Sequence, residues 1–153
     1  MLVHHTTIRD DIGQAFVELA LVLPIFILLL VGAAEIGRLV YAGIEVSNAA
    51  RSGVAYGSQN HITASDTPNI QLAATTEAPN ITSLATPVVT LSCSCSNGTS
   101  ITCANAGTTC LSPARIVEYV QVRTSASVNT LFHYPGIPSS VTLRGFAIMR
   151  VEQ

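Results

Sequence analysis

The sequence predicts an α+β protein: a long N-terminal helix, half transmembrane and half amphipathic stem, carrying a small head built on an antiparallel β-sheet. Three observations lead there. An apolar run with a single charge occupies residues 15–34, helical spacing of apolar residues continues beyond it, and short runs of alternating or β-branched character follow Pro87. With 153 residues there is room for one anchor and one compact head. Charged residues make up only 10% of the chain, and mean hydropathy is +0.47, nearer a membrane protein than a soluble enzyme.

The first element is AFVELALVLPIFILLLVGAA, from Ala15 to Ala34, with Glu18 as its one charge. At about 1.5 Å per residue it reaches across a hydrocarbon core of roughly 30 Å. Ile36, Leu39, Val40, Ile44 and Val46 then extend the pattern past the membrane boundary, with Glu35, Arg38 and Glu45 between them. The helix is therefore expected to run on to about Tyr56, a rod on the order of 65 Å. Within it Pro24 leaves the Ala20 carbonyl without its usual donor, which bends a helix in lipid. Ala33 and Gly37, and again Ala49, Gly53 and Gly57, recur four apart, so each set forms a smooth strip that another helix can approach closely. Glu35 and Arg38 stand three apart and can pair along the stem. An alternative for the same run is a secretory signal cut after Gly32-Ala33-Ala34, but the helical pattern continues through that point without a break.

After Gly57 the composition turns to Ser, Thr, Asn and Ala. Thr67-Pro68 reads as a helix start, with Thr67 as cap, running through Ile70 and Leu72 until Pro79 ends it. Four β-type runs follow: VVTLSCS, SITC, RIVEYVQVRT and SVTLRGFAIMRV. In the last, Val141, Leu143, Ala147, Met149 and Val151 share one face, and Thr142, Arg144, Arg150 and Glu152 the other, as in a half-buried strand. Tyr134-Pro135-Gly136-Ile137-Pro138 marks a loop between the last two strands.

The four cysteines, Cys93, Cys95, Cys103 and Cys110, crowd into a loop-rich stretch over 93–110. Two disulfides are expected, in an oxidising compartment outside the cytoplasm. The pairing stays open, Cys93 to Cys95 being the most strained choice; a zinc knot is the alternative, although its usual ligand spacing and a nearby histidine are lacking. The seven basic residues are all arginine and are spread thinly against nine acids, so there is no footprint for nucleic acid. His4, His5, His61 and His133 are scattered, and phosphate loops, nucleophile elbows and H-E-x-x-H are absent. No catalytic residue, metal ligand or cofactor is therefore assigned.

The sharpest motif is Gly13-Gln14-Ala15-Phe16-Val17-Glu18 at the entrance of the membrane helix. A carboxylate inside an apolar span costs about 2.5–3.5 kcal/mol at mid-helix and less near an edge, so its presence calls for a purpose. The arrangement resembles a type IV prepilin processing site, where a dedicated peptidase cuts after Gly and leaves Glu as the fifth mature residue. GQAFVELALVLP, then Glu35-Ile36-Gly37-Arg38, then NAARSGVAYG at 48–57 resemble the N-terminal block of the TadE family, and FAIMRVE its closing strand. The residues before the cut, Arg9-Asp10-Asp11-Ile12, are acidic where family leaders carry Lys or Arg.

The resemblance implies a leader over 1–13, an N-terminal helix over 14–57 with its transmembrane part at about 15–36, and an extracytoplasmic head over 58–153. It further implies a non-enzymatic minor pilin or pseudopilin of tight-adherence pili, in the bacterial inner membrane or in a pilus. Its partners would be other pilin subunits, the prepilin peptidase, the inner-membrane assembly machinery and membrane lipid, with no nucleic acid. A single-pass, unprocessed binding protein outside any filament is the alternative, and an envelope enzyme a more distant one.

Overall fold

The computed structural model describes residues 8–105, 110, 114–131, 136 and 138–152. Most of the expected leader, the histidines His4, His5 and His133, and most of the Tyr134–Pro138 loop lie outside the described residues. Helix α1 runs from Ile8 to Gly57, beginning before Gly13 and ending one residue beyond the expected Tyr56. Short α2 spans His61–Ser65 and α3 Thr67–Thr76. Strands β1 (Val88–Cys95), β2 (Ser100–Ile101), β3 (Ile116–Asn129) and β4 (Ser140–Arg150) form one antiparallel sheet in the order β2-β1-β3-β4. The fold class is thus α+β, as the sequence predicts.

The chain divides into two compact units, residues 1–38 and 39–153. In the first, the described part is helix alone, and its apolar side chains from Phe16 to Leu30 are exposed. Within α1 an 18-residue window reaches a mean hydropathy of 2.7 with none of it buried, so the helix is long and apolar enough to cross a membrane. Fully covering one such Leu, Ile or Phe side chain is worth about 1.5–3 kcal/mol, which makes water a poor surrounding for this surface.

In the second unit, the end of α1 lies on one face of the sheet. Ala50 and Val54 from α1, Ala64 from α2, Ile70 from α3, and Val120, Val122 and Val151 form the core. Alternation along β3 explains the sheet's contribution: Val120, Val122, Thr124 and Ala126 are all buried on the helix-facing side, whereas Arg123 and Ser127 are exposed on the other. The hydroxyl of Thr124 donates to the carbonyl of Val46 at 2.6 Å, a buried link from sheet to helix. Gly145, opposite Thr124 in the register, leaves space there, because a Cβ at this position would meet both Thr124 Oγ1 and the Val46 carbonyl.

Two helix starts depart from the sequence reading. Asp66, not Thr67, caps α3: its carboxylate accepts from the backbone N–H of Asn69 at 3.3 Å, and Thr67-Pro68 form the first turn. That helix ends at Thr76, with Glu77 as its C-cap, before Pro79 is reached. Helix α2 has no apolar periodicity to announce it and rests on a capping box, in which Asn60 Oδ1 accepts from Ile62 and Thr63 while Thr63 Oγ1 accepts from the Asn60 N–H at 3.1 Å. Strand β3 continues five residues beyond the expected RIVEYVQVRT, through Asn129, where Ala126 and Val128 oppose Leu143 and Val141.

Candidate functional site

Gly13 stands in open space, with nothing within 4 Å of a Cβ built on it. One helical turn separates Gln14 from Glu18, and that spacing brings the Gln14 amide to donate to Glu18 Oε1 at 3.2 Å. Both side chains are exposed, in a setting otherwise formed by Phe16, Val17, Leu19 and Leu21. A hydrogen-bonded carboxylate thus sits on an apolar surface at the foot of the helix, with an approach unobstructed by the described residues of its own unit. Such a group can accept a cationic donor from a second helix once the surface is dry, where attraction is far stronger than in water.

Pro24 lies inside α1, and Ala33 and Gly37 are exposed, Gly37 again with open space around it. Arg38 Nη2 donates to Glu35 Oε1 at 2.9 Å, the pairing expected from their spacing. This i,i+3 contact is worth about 0.2–0.5 kcal/mol, a small offset to the cost of holding two charges near the apolar run.

The second strip of small residues, unlike the first, is covered by the rest of its unit. Ala49 is buried, and a Cβ at Gly53 would lie 3.2 Å from Ala74 Cβ and 3.3 Å from Val122 Cγ1. At Gly57 it would lie 2.9 Å from Ile70 Cδ1 and 3.0 Å from Val120 Cγ1. The strip therefore admits this chain's own α3 and β3. On the remaining stem surface of the same unit, Val40, Tyr41 and Ile44 stay exposed, while Glu45 is buried and accepts from Asn80 Nδ2 at 2.7 Å. The Tyr41 phenol is held above its usual pKa, first by its hydrogen bond to Glu45 and then by that carboxylate's charge, with Asn80 opposing. Sequence reasoning passed over this polar cluster, since nothing in the local pattern brings Asn80 back to the stem.

The cysteines pair as Cys93–Cys103 and Cys95–Cys110. Cys93 and Cys95 are two apart on β1, so both side chains leave the same, buried face, and each finds its partner in the chain that returns over it. The bridged cysteines stand only 10 and 15 positions apart in sequence, so each closed loop is short. Non-reducing alkylation of the unfolded protein is expected to label no thiol. Replacing Cys95 and Cys110 together by serine should lower the unfolding free energy by about 2–4 kcal/mol in a denaturant titration.

Among the described residues no group of three or more His, Cys, Asp or Glu is placed to hold a metal ion. His61 Nδ1 lies 2.8 Å from Glu118 Oε2, a contact that ties α2 to β3. With the geometry in place, comparison with known proteins gives one finding: the family model described as TadE-like protein matches residues 13–55. No curated protein and no solved structure matches the chain. The matched segment begins at Gly13, contains Glu18 and both small-residue strips up to Gly53, and ends in the core of the head.

Proposed function

From the TadE-like character of residues 13–55, we propose that this chain is a non-enzymatic minor pilin or pseudopilin of a tight-adherence pilus system. A prepilin peptidase removes residues 1–13 and exposes Gln14 as the new N-terminus. The apolar helix then holds the protein in the inner membrane with its disulfide-bonded head outside the cytoplasm, and the mature chain associates with other pilin subunits and the assembly machinery. The observation that carries this reading is the pairing of Gly13 and Glu18 at the start of an apolar helix none of whose apolar window is buried. Apolar helices of this kind exchange lipid for one another at little cost, and a charge within them selects register.

Glu18 is the residue on which assembly turns. In a staggered bundle the amine of an incoming Gln14 meets the Glu18 carboxylate of a neighbour, and each subunit's own Gln14 amide holds that carboxylate in place until then. Glu18→Val removes a charge from lipid, so insertion, trimming after Gly13 and the fold of the head are expected to persist. Co-purification with other pilin subunits should fall at least tenfold. A Glu18→Val chain that is trimmed and co-purifies like its parent would overturn this role and favour a single-pass anchored binding protein outside any filament.

A further inference from the structure

The face of the sheet turned away from α1 has an uneven composition. Its strand positions carry Arg123, Arg144 and Arg150 and no acidic residue, although the chain as a whole has a net charge of −2. The acids of this unit lie elsewhere: Glu45 is buried on the stem, Glu118 is on the helix-facing side of β3, Asp66 and Glu77 flank α3, and Glu152 follows β4. All three arginines are exposed, and among the described residues none of them is in an ion pair.

The register places these charges. Ser125 opposes Arg144, Arg123 opposes Phe146, and Tyr119 opposes Arg150, so the guanidinium groups follow the strands over about 20 Å, with Arg123 and Arg144 in adjacent rows. Between those two, a depression of about 560 Å³ is lined by Thr86, Val88, Ser125 and Phe146 as well as the arginines. Phe146 is 54% exposed, and the Arg123 guanidinium lies over its ring, 5.7 Å from the centre. At the far end Glu152 lies beside Arg150 and Arg115, so the uncompensated charge is concentrated at Arg123 and Arg144.

We propose that this sheet face binds an acidic polysaccharide, a chain of uronic acid units, through Arg123 and Arg144 with Phe146 as the platform for a sugar ring. A planar guanidinium presents paired donors that match a carboxylate. The Phe146 ring takes the C–H-rich face of a pyranose once the exposed Arg123 guanidinium swings from over it onto the sugar's carboxylate, and the hydroxyls and amide of Thr90, Gln121 and Ser125 along the same face suit a ligand rich in hydroxyl groups. Duplex nucleic acid, with a charge every 1.7 Å or so, is ordinarily held by a denser array than three arginines. The site is independent of whether the chain enters a filament.

The test uses the full chain in non-ionic detergent with fluorescent oligogalacturonate as probe, and neutral dextran and oligo-dT of equal charge as comparators. Oligogalacturonate is expected to bind and dextran not to. Replacing Arg123 and Arg144 together by glutamine should weaken binding at least tenfold, and Phe146→Ala at least threefold, with thermal unfolding unchanged. Arg51→Gln, an exposed arginine on α1, should leave the affinity as it was. Absent binding, equal binding of dextran, or indifference to the double variant would overturn the proposal. Tighter binding of oligo-dT than of oligogalacturonate would overturn it in favour of a nucleic-acid surface.

Discussion

Replacing Gly145 by valine is expected to be the most destabilising single change in the head, costing about 3 kcal/mol or more. The residue needs no unusual backbone angle, since the positive-φ glycines are Gly98 and Gly136. What Gly145 provides is space. It opposes Thr124 in the register, and the hydrogen bond from Thr124 to the Val46 carbonyl passes directly over it. Even a methyl group would press on both the donor oxygen and the helix backbone, which are neither flexible nor free to retreat. Overpacking in a close-packed interior costs about 1–3 kcal/mol, and breaking a buried hydrogen bond adds about 1–3. The measurement is chemical unfolding of the full chain in detergent, followed by the β-sheet signal. Gly37→Ala serves as the control, because nothing lies within 4 Å of its added Cβ and alanine favours the helix by up to about 1 kcal/mol. A Gly145→Val chain as stable as Gly37→Ala would mean that α1 and β4 are less closely apposed than described.

The same residue shows where sequence reading reaches its limit. The alternation of Val141, Leu143 and Ala147 identifies β4, and a glycine in the midst of a strand signals close backbone approach, yet which backbone approaches is a tertiary fact. The Ala49, Gly53 and Gly57 strip repeats this lesson on α1: spacing marks a surface for tight packing, and only the fold shows that α3 and β3 of the same chain take it. Long α1 was legible because an apolar run of twenty residues with one charge, and helical spacing that continues past it, admit few alternatives. The second half of β3 was not, because Ser125, Ala126 and Ser127 have no β preference of their own and are held by pairing with Thr142, Leu143 and Arg144. Helix α2 escaped for a related reason, its five residues depending on one asparagine cap. The cysteines announced two bridges without their partners, since pairing depends on which face of β1 the side chains leave.

Gly13→Leu is expected to abolish the proposed trimming altogether, so that the purified protein keeps its first thirteen residues where the parent is expected to begin at Gln14. The structure makes this substitution clean. Nothing lies within 4 Å of a Cβ at Gly13, and leucine is the better helix former by about 0.6–0.8 kcal/mol, so neither folding nor insertion is impaired. A block must then come from the peptidase's own need for a residue without a side chain at the cut. Helix α1 begins at Ile8, so the bond after Gly13 lies within helical backbone, and cleavage requires that stretch to open locally. Glycine eases the opening and leucine resists it, which works in the same direction as the loss of fit. Intact mass and N-terminal analysis of protein from membranes holding an active prepilin peptidase decide the matter. Trimmed Gly13→Leu would remove Gly13 from recognition. A parent chain that keeps Met1 would overturn processing itself, and one that begins at Glu35 would show that the apolar run acts as a cleaved signal. Comparison with Glu18→Val separates the two ends of the motif. Loss of trimming in Gly13→Leu alone, and loss of assembly in Glu18→Val with trimming intact, assigns cleavage to the glycine and register to the carboxylate.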